Sequence, residues 1–319
     1  MNILMVGHSR SGKTSFMAGM YRYLGEKKEG YGISAKYSKQ RESLQKMANG
    51  LAKNRYPAGT DVQQMYNFGF TVGGEEIMPF NWMDYRGGIL LSDDPDDTDM
   101  DNFLKAIKQA DALVVFLDGE KLADRSGRWS MEYDILLSCI ESSLEHLDQK
   151  ITFPINFVIT KCDLLPDGAK FYGLERFYSL FDQISQSDTV DAMLTQSVIN
   201  SEFYDMPFLT LAFCIYGGTP IYISKRQRAM EEAQKRHNRH APETLIGGIF
   251  AGLEHVGSRI AGFIYSDWQW KSEIDLANRA ERDFEREYYN LQRLQAVAED
   301  LHEKLKQWSN DKLITLIEL

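Results

Sequence analysis

Apolar residues follow two patterns along the first two-thirds of this chain. Short continuous runs, such as "ALVVFL" at 112–117, alternate with stretches in which apolar residues recur every three or four positions. Continuous runs are typical of strands covered on both faces, and the longer spacing is typical of amphipathic helices. We predict strands at Asn2–Val6, Met65–Val72, Ile77–Met83, Ala112–Leu117, Ile155–Ile159 and Phe208–Phe213, and helices at Lys13–Gly25, Met100–Gln109, Met131–Leu147 and Gly173–Ser185. This alternation indicates an α/β fold with a mostly parallel sheet.

The pattern changes in the last third of the chain. "GGTPIY" at 217–222 is rich in turn residues, and from Ile274 to Trp308 apolar residues recur every three or four positions between charges. This spacing predicts a long amphipathic helix with coiled-coil character. Its apolar stripe could lie on the chain's own first domain or on a partner, including a second copy. We therefore predict an α/β domain at 1–218 and a helical extension at 219–319.

Composition indicates which partners are expected and in which cell compartment the protein is expected to lie. The net charge of −10 over 319 residues argues against a nucleic-acid partner, because such proteins present a basic face to the phosphates. Three widely spaced cysteines indicate reduced thiols. We recognise neither a signal peptide at the N-terminus nor an apolar run of about 20 residues that would span a membrane. We expect a cytoplasmic protein that does not bind membranes.

The most specific motif is a glycine-rich loop at the N-terminus. Residues 7–14, "GHSRSGKT", fit G-x-x-x-x-G-K-[ST] between a predicted buried strand and a predicted helix. Gly7 and Gly12 let the backbone N–H groups converge on phosphate oxygens, Lys13 reaches the β- and γ-phosphates, and the Thr14 hydroxyl holds Mg²⁺. We expect contacts to a nucleoside triphosphate from Gly7, Arg10, Ser11, Gly12, Lys13, Thr14 and Ser15.

A carboxylate that could bind Mg²⁺ lies at the end of another predicted apolar strand. "IMPFNWM" leads into Asp84, which is followed by Tyr85, Arg86 and Gly87. Asp84 can hold Mg²⁺ through water, and the backbone N–H of Gly87 can contact the γ-phosphate. The spacing D-x-x-G is common, so its weight comes from its place after the phosphate loop.

A third motif, Thr160-Lys161-Cys162-Asp163, directly follows the apolar run "INFVI". In this order, the three motifs resemble those of the translation-factor and Ras-like class of P-loop GTPases. The resemblance covers about residues 1–218 and implies a Ras-like G domain that binds GTP or GDP with Mg²⁺. It also implies that Asp163 accepts two hydrogen bonds from guanine and that the stem of Lys161 lies over the base, while Thr160 stands where the family usually has asparagine.

Two further positions follow from this resemblance. It implies that Thr60, 24 residues before Asp84, coordinates Mg²⁺ and senses the γ-phosphate. Thr71 is the alternative, but it falls inside the predicted strand Met65–Val72. The string "YPAGT" around it is also similar to prokaryotic double-GTPase-like families. A fifth motif, which supports the guanine ring, is expected near Ala212–Cys214, after the predicted strand Phe208–Phe213.

The residues expected to act in hydrolysis are Arg10, Lys13 and Thr60. Ras-like enzymes carry a water-positioning glutamine after D-x-x-G, whereas this chain has Gly88 there. Arg10 resembles the phosphate-loop arginine of guanylate-binding proteins and atlastins, which acts in cis when two GTPase domains associate. A solvated arginine on the outer surface of the loop is the other interpretation. We expect slow basal hydrolysis that a self-association or a protein partner raises.

Together these motifs predict a Mg²⁺-dependent GTPase that acts as a nucleotide-controlled switch or assembly factor. The C-terminal helix is the expected surface for a protein partner or for self-association. Two alternatives stay open: a scaffold that binds nucleotide with little hydrolysis, and an ATP-using P-loop enzyme.

Overall fold

Eight strands and seven helices make up the part of the chain that the structure, a computed structural model, describes: residues 1–25, 30–57, 64–85, 97–124, 130–144, 153–161, 190–196, 205–240, 286–307 and 314–317. The strands are β1 Asn2–Gly7, β2 Tyr31–Ala35, β3 Gln64–Val72, β4 Glu75–Asp84, β5 Ala112–Asp118, β6 Phe153–Thr160, β7 Val190–Gln196 and β8 Ile314–Ile317. The helices are α1 Lys13–Gly25, α2 Ser38–Leu51, α3 Asp97–Gln109, α4 Gly119–Leu122, α5 Ser130–Leu144, α6 Asp205–His240 and α7, residues 286–307.

The strands form one sheet in the order β2-β3-β4-β1-β5-β6-β7-β8. β1 lies between β4 and β5 and is parallel to both, and β5, β6 and β7 continue in parallel. β3 and β4 form an antiparallel hairpin, and β2 and β8 add antiparallel strands at the two edges. This is the strand arrangement of a Ras-like P-loop G domain with an extra strand at each edge, so the predicted α/β fold is confirmed.

Continuous apolar runs become the central strands because both faces of the sheet are covered. All seven residues of β5 are buried, and they alternate between two cores. Ala112, Val114 and Phe116 join the core that includes side chains of α1, α6 and α7. Leu113, Val115 and Leu117 join the core that includes side chains of α3 and α5. Each strand side chain is therefore buried, which removes the alternating polar face of a half-exposed sheet.

The predicted strand Phe208–Phe213 is wrong, because these residues lie inside α6. Residues 207–215 are buried without interruption, and a helix surrounded by apolar neighbours has the same continuous apolar sequence as a buried strand. The fifth guanine-contacting motif expected near Ala212–Cys214 is wrong for the same reason. Ala212 and Cys214 are fully buried side chains of the core.

The turn predicted from "GGTPIY" is also wrong, because α6 continues through it. A Cβ atom on Gly217 would lie 2.6 Å from Cβ of Pro154, and one on Gly218 would lie 2.9 Å from the carbonyl oxygen of Asp111. These glycines therefore allow the helix to approach the sheet closely. The Thr219 hydroxyl donates to the carbonyl of Ile215 (2.5 Å), one turn back along the same helix.

The predicted C-terminal helix is present as α7 over residues 286–307. Its interpretation as a coiled-coil arm is not supported there. Leu294, Leu301 and Leu305 lie in the same core cluster as residues of β1 and α6, and Ala298 is also buried. Tyr216 stacks on His302 with ring centroids 4.2 Å apart. This part of the apolar stripe is covered by the chain itself, so it does not offer a surface for self-association. Residues 274–285 of the prediction lie outside the described residues.

The other helix predictions agree closely with the structure where they can be compared. Lys13–Gly25 matches α1, and Met100–Gln109 lies within α3. Met131–Leu147 corresponds to α5, and its last residues, 145–147, lie outside the described residues. The predicted helix Gly173–Ser185 also lies outside them. β2 and α2 have no counterpart among the predicted elements. Their signals are weak, since β2 has five residues and α2 buries only Leu44, Ala48 and Leu51.

The chain divides into two compact units, Met1–Tyr222 with Leu294–Leu319, and Ile223–Arg293. In the second unit, Arg226 forms an ion pair with Glu287 (2.6 Å). The division into 1–218 and 219–319 stays a prediction. In the described residues, the stretch Pro207–Glu232 of α6 is long and apolar enough to cross a membrane by length and composition. Core helices pass the same test, and 67% of its most apolar window is buried in the protein.

Candidate nucleotide-binding site

The phosphate loop connects the carboxyl end of β1 to the start of α1, as predicted. Gly7 has φ 150° and Gly12 has φ 91°, backbone conformations that side chains rarely adopt. A Cβ atom on Gly7 would also lie 2.7 Å from the carbonyl oxygen of Phe116. Because α1 begins at Lys13, its first backbone N–H groups have no partner within the helix and face the loop. This geometry suits an anion at the positive end of the helix.

Lys13 is folded back over the loop rather than extended into solvent. Its ammonium donates to the carbonyl oxygens of Gly7 (2.9 Å) and His8 (3.0 Å), and the residue is only 8% exposed. An ammonium has three protons, so this arrangement fixes its direction and leaves one for an incoming phosphate. Burial lowers the pKa of Lys13, and the charge of Asp84 opposes this shift.

Asp84 ends β4 directly beside β1, where the register pairs it with Met5. Its carboxylate is buried, and Oδ1 lies 3.9 Å from the Lys13 ammonium. Thr14 is half-buried in the first turn of α1. A carboxylate and a hydroxyl beside a phosphate loop are the oxygen ligands from which Mg²⁺ sites on nucleotides are built. These residues fit a Mg²⁺ ion, with Thr14 and Asp84 as the groups of this chain that would hold it.

Thr160 joins the third motif to the phosphate loop. Its hydroxyl donates to the carbonyl of Ser11 (2.8 Å), with Leu117 as a longer alternative acceptor (3.2 Å), and the residue is fully buried. A Cβ atom on Gly12 would touch the Thr160 side chain at 3.5 Å, an ordinary contact distance. Thr160 therefore ties the end of β6 to the phosphate loop.

Lys161 follows at the carboxyl end of β6 in a left-handed backbone conformation, with φ 56°. Its ammonium pairs with Oδ2 of Asp118 at 2.6 Å and lies 3.8 Å from the carboxylate of Glu120. Asp118 is the last residue of β5 and is fully buried. The third motif is thus held to its neighbouring strand by a side chain that no sequence motif indicated.

His8 is a buried member of the loop. Its ring packs edge-on against Tyr133 of α5 with centroids 4.6 Å apart. Burial lowers the pKa of His8 to about 3, and the charges of Lys121 and Lys13 add to the shift. The imidazole is therefore neutral at physiological pH, so Lys13 is the cation that the loop presents from its interior.

The remaining predicted site residues divide into two groups. Arg10 is exposed on the loop with φ 64°, Ser11 is buried with its hydroxyl oxygen unpaired, and Ser15 is buried in α1. Thr60, Gly87 and Asp163 lie outside the described residues, as does Gly88. The structure therefore brings together residues 7–15, Asp84, Thr160 and Lys161 at one end of the sheet.

Sequence reasoning missed His8, Asp118 and Tyr133. His8 lies at a variable position of the loop motif, and Asp118 follows an apolar strand in the same way as Asp84. That repeated pattern was a usable signal, because parallel strands with their carboxyl ends at one edge place such residues close together. Among the described residues, no cluster of three or more His, Cys, Asp or Glu side chains could hold a metal ion. A Mg²⁺ site of the kind described above does not need such a cluster, because phosphates and water supply most of its ligands.

Comparison with known proteins gives no family model and no curated protein that matches this chain. Solved G domains are similar in part. A small GTPase of Trypanosoma brucei with a bound nucleotide analogue is 14% identical, with coverage of 66% of this chain and 94% of that chain and a TM-score of 0.37. The signal recognition particle receptor complex of Chaetomium thermophilum is 13% identical, with coverage of 63% and 91% and a TM-score of 0.37.

The G domain of the T. maritima iron transporter FeoB is also 13% identical, with coverage of 61% and 87% and a TM-score of 0.29. These low scores carry no argument about function. The assignment of the fold rests instead on strand order, on the phosphate loop after β1 and on Asp84 at the end of the adjacent β4. Together these features define a P-loop protein with the G-domain arrangement.

Proposed function

We propose that this chain is a Mg²⁺-dependent GTP-binding protein that works as a nucleotide-controlled switch or assembly factor. The observation that carries the proposal is the position of Lys13. Its ammonium is buried and is oriented by the carbonyl oxygens of Gly7 and His8. An oriented, poorly solvated cation at a helix N-terminus is a strong site for a phosphate group.

The proposed Mg²⁺ ion is held by Thr14 and Asp84, with Thr60 as a third ligand that the resemblance implies. The hydroxyl and the carboxylate start from α1 and β4, on the two sides of the loop. A bound Mg²⁺ ion would screen the negative charge of Asp84 from the phosphates. Without it, the carboxylate 3.9 Å from Lys13 would oppose the binding of a polyphosphate.

We assign guanine as the base because of the third motif. Thr160 anchors the strand end to the phosphate loop, and Lys161 lies at the surface that follows it. In this proposal Asp163 accepts the two hydrogen bonds of guanine. Adenine offers no matching pair of donors, so a carboxylate there would be left without partners and adenine nucleotides would bind more weakly.

Hydrolysis is proposed to be slow in the isolated chain, because Gly88 has no side chain to position water. The Arg10 side chain is exposed. To stabilise the negative charge that develops on the phosphate during hydrolysis, it would have to be held in place by a contact with a protein partner or a second copy. Since α7 buries its stripe internally over 294–305, we place that contact at the phosphate-loop end of the domain. We propose a cytoplasmic location for this activity.

Isothermal titration with GDP, GTP and ADP, each with Mg²⁺ and with EDTA, tests the proposal. We expect GDP to bind at least tenfold more tightly than ADP and Mg²⁺ to strengthen the binding of GTP. Equal affinities, or a preference for ADP, would reject guanine and support an ATP-using enzyme.

Tight GTP binding without turnover in a single-turnover assay would instead support the scaffold. Turnover that rises with protein concentration, and loses the rise in Arg10→Ala, would support the role of Arg10.

A further inference from the structure

Asp118 is a buried carboxylate at the end of β5 that the proposed nucleotide contacts do not use. Its side chain is 1% exposed, and its Oδ1 accepts the backbone N–H groups of Glu120 (3.1 Å) and Lys121 (3.4 Å) at the start of α4. Its other oxygen, Oδ2, faces the ammonium of Lys161 at 2.6 Å. One oxygen therefore caps a helix, and the other holds a cation on the neighbouring strand.

Lys161 needs such a partner because its conformation is unfavourable on its own. A left-handed backbone conformation, here with φ 56°, is unfavourable for a residue other than glycine, and the side chain loses rotamer freedom when it is held. An ion pair between exposed side chains contributes too little to compensate for both costs. A fully buried carboxylate at 2.6 Å provides a stronger, less screened attraction.

We propose that Asp118 is a positioning residue for nucleotide recognition: it holds Lys161 in the orientation that forms the base side of the site. This inference rests on the proposed function of the same site. The strand register supports it, because Asp118 pairs with Thr160, the residue that ties β6 to the phosphate loop. Asp118 and Thr160 thus fix Lys161 from two directions.

The same carboxylate residue is also connected to the other side of the loop. The backbone N–H of Asp118 donates to the hydroxyl of Tyr133 (3.0 Å), and the Tyr133 ring packs on His8. Asp118 and Tyr133 therefore link Lys161 of the third motif to His8 of the phosphate loop. The contacts of the carboxylate itself, to the two N–H groups of α4 and to the Lys161 ammonium, offset the cost of burying its charge.

The test is a double-mutant cycle on GDP affinity with Asp118→Asn and Lys161→Met. Asparagine keeps an oxygen for the two N–H groups of α4 but removes the charge. We expect Asp118→Asn to weaken GDP binding about tenfold and to reduce the ratio of GDP to ADP affinity. In the Lys161→Met background, the same substitution should change GDP affinity by less than about twofold, because the pair no longer exists.

Glu120→Gln is the matched control, because this carboxylate is 3.8 Å from the same ammonium but 64% exposed. It should leave GDP affinity within about twofold, since exposed pairs contribute little. A tenfold loss that is equal in both backgrounds would overturn the inference and leave Asp118 with a structural role only. A wild-type affinity for Asp118→Asn would overturn it as well.

Failure of the proposed function has a different signature. If the wild-type protein does not distinguish GDP from ADP, the guanine assignment fails whatever the variants do. If the wild type selects GDP and the cycle shows no coupling, only the role of Asp118 fails. Should Asp118→Asn not fold, Lys161→Met alone decides the question: it must lower the preference for GDP at a temperature where the variant is fully folded, and an unchanged preference rejects the inference.

Discussion

The phosphate-loop end of the sheet and the core beneath α6 and α7 are both buried, but they bury different groups. At the loop end the buried side chains are polar or charged: His8, Lys13, Asp84, Asp118 and Thr160. On α6 and α7 the buried side chains that pack into the core carry no charge and include five leucines: Leu209, Leu211, Leu294, Leu301 and Leu305. A buried charge destabilises a fold unless it is well paired, whereas a buried leucine stabilises it. The difference separates the region that is arranged for a ligand from the region that holds the domain together.

The same contrast appears in two pairs of glycines. Gly7 and Gly12 give the loop positive φ angles, so that the backbone can surround an anion. Gly217 and Gly218 are helical residues whose missing side chains allow close contact with Pro154 and Asp111. One pair serves conformation and the other serves packing. Substitutions in the two regions should therefore change different measured properties.

The largest expected effect is on nucleotide affinity in Lys13→Ala. Loss of a buried ammonium that contacts phosphate should weaken GTP binding by about a thousandfold, or about 4 kcal/mol. The substitution also leaves the carbonyl oxygens of Gly7 and His8 without this donor, so a modest fall in stability should accompany it. Titration calorimetry measures the affinity. Lys53→Ala, at an exposed turn after α2, is the control and should bind as the wild type does.

Leu301→Ala in α7 should instead lower the stability of the fold and leave nucleotide affinity unchanged. Leu301 is fully buried in the core, so its truncation should lower the free energy of unfolding by about 3 kcal/mol. GDP affinity measured well below the melting temperature should not change. Urea denaturation measures the first quantity and calorimetry the second.

Tyr288→Ala is the control for this helix, since Tyr288 is 49% exposed, and it should cost less than about 0.5 kcal/mol. If the two substitutions had the same small effect on unfolding, α7 would not be part of the core. A large effect of Leu301→Ala on dimerisation, with no effect on unfolding, would restore its interpretation as an association arm.

A smaller effect is expected on the pH dependence of stability. The pKa of His8 is about 3 in the folded chain and about 6.5 in the unfolded chain, so the unfolded chain binds the proton more readily. This group stabilises the fold fully above pH 6.5, and that contribution is lost as the pH falls below it. Between pH 7 and pH 5 the loss should be about 2 kcal/mol.

His8→Phe isolates this contribution, because phenylalanine keeps a ring beside Tyr133 and does not titrate. The free energy of unfolding, measured by urea at pH 7 and pH 5, should fall by about 2 kcal/mol less in the variant than in the wild type. Identical pH profiles for the two proteins would show that His8 is not buried in its neutral form.

The described part of the candidate site could be located from the chain, because a phosphate-binding loop needs particular residues at fixed spacing. Residues 7–14, Asp84 and Thr160-Lys161 lie together as the motifs predicted, since the carboxyl ends of β1, β4 and β6 meet at one edge of the sheet. Asp118 follows an apolar strand as Asp84 does, but its ion pair with Lys161 is a single long-range contact that this pattern does not encode. Tyr133 could not be found from the sequence, because its role is a single contact to the backbone of β5.

The amino-acid sequence by itself determined the phosphate loop, the helix α1 and the buried central strands, because glycine conformations and continuous apolar runs are local properties. Only the tertiary structure decided what covers an apolar segment. Residues 208–213 are a continuous, largely apolar run like β5, yet they form a helix. Gly217 and Gly218 let this helix pack closely on Pro154 and Asp111. The stripe of α7 likewise meets the chain's own core rather than a partner. Burial drives both outcomes, and burial depends on neighbours that are distant along the chain.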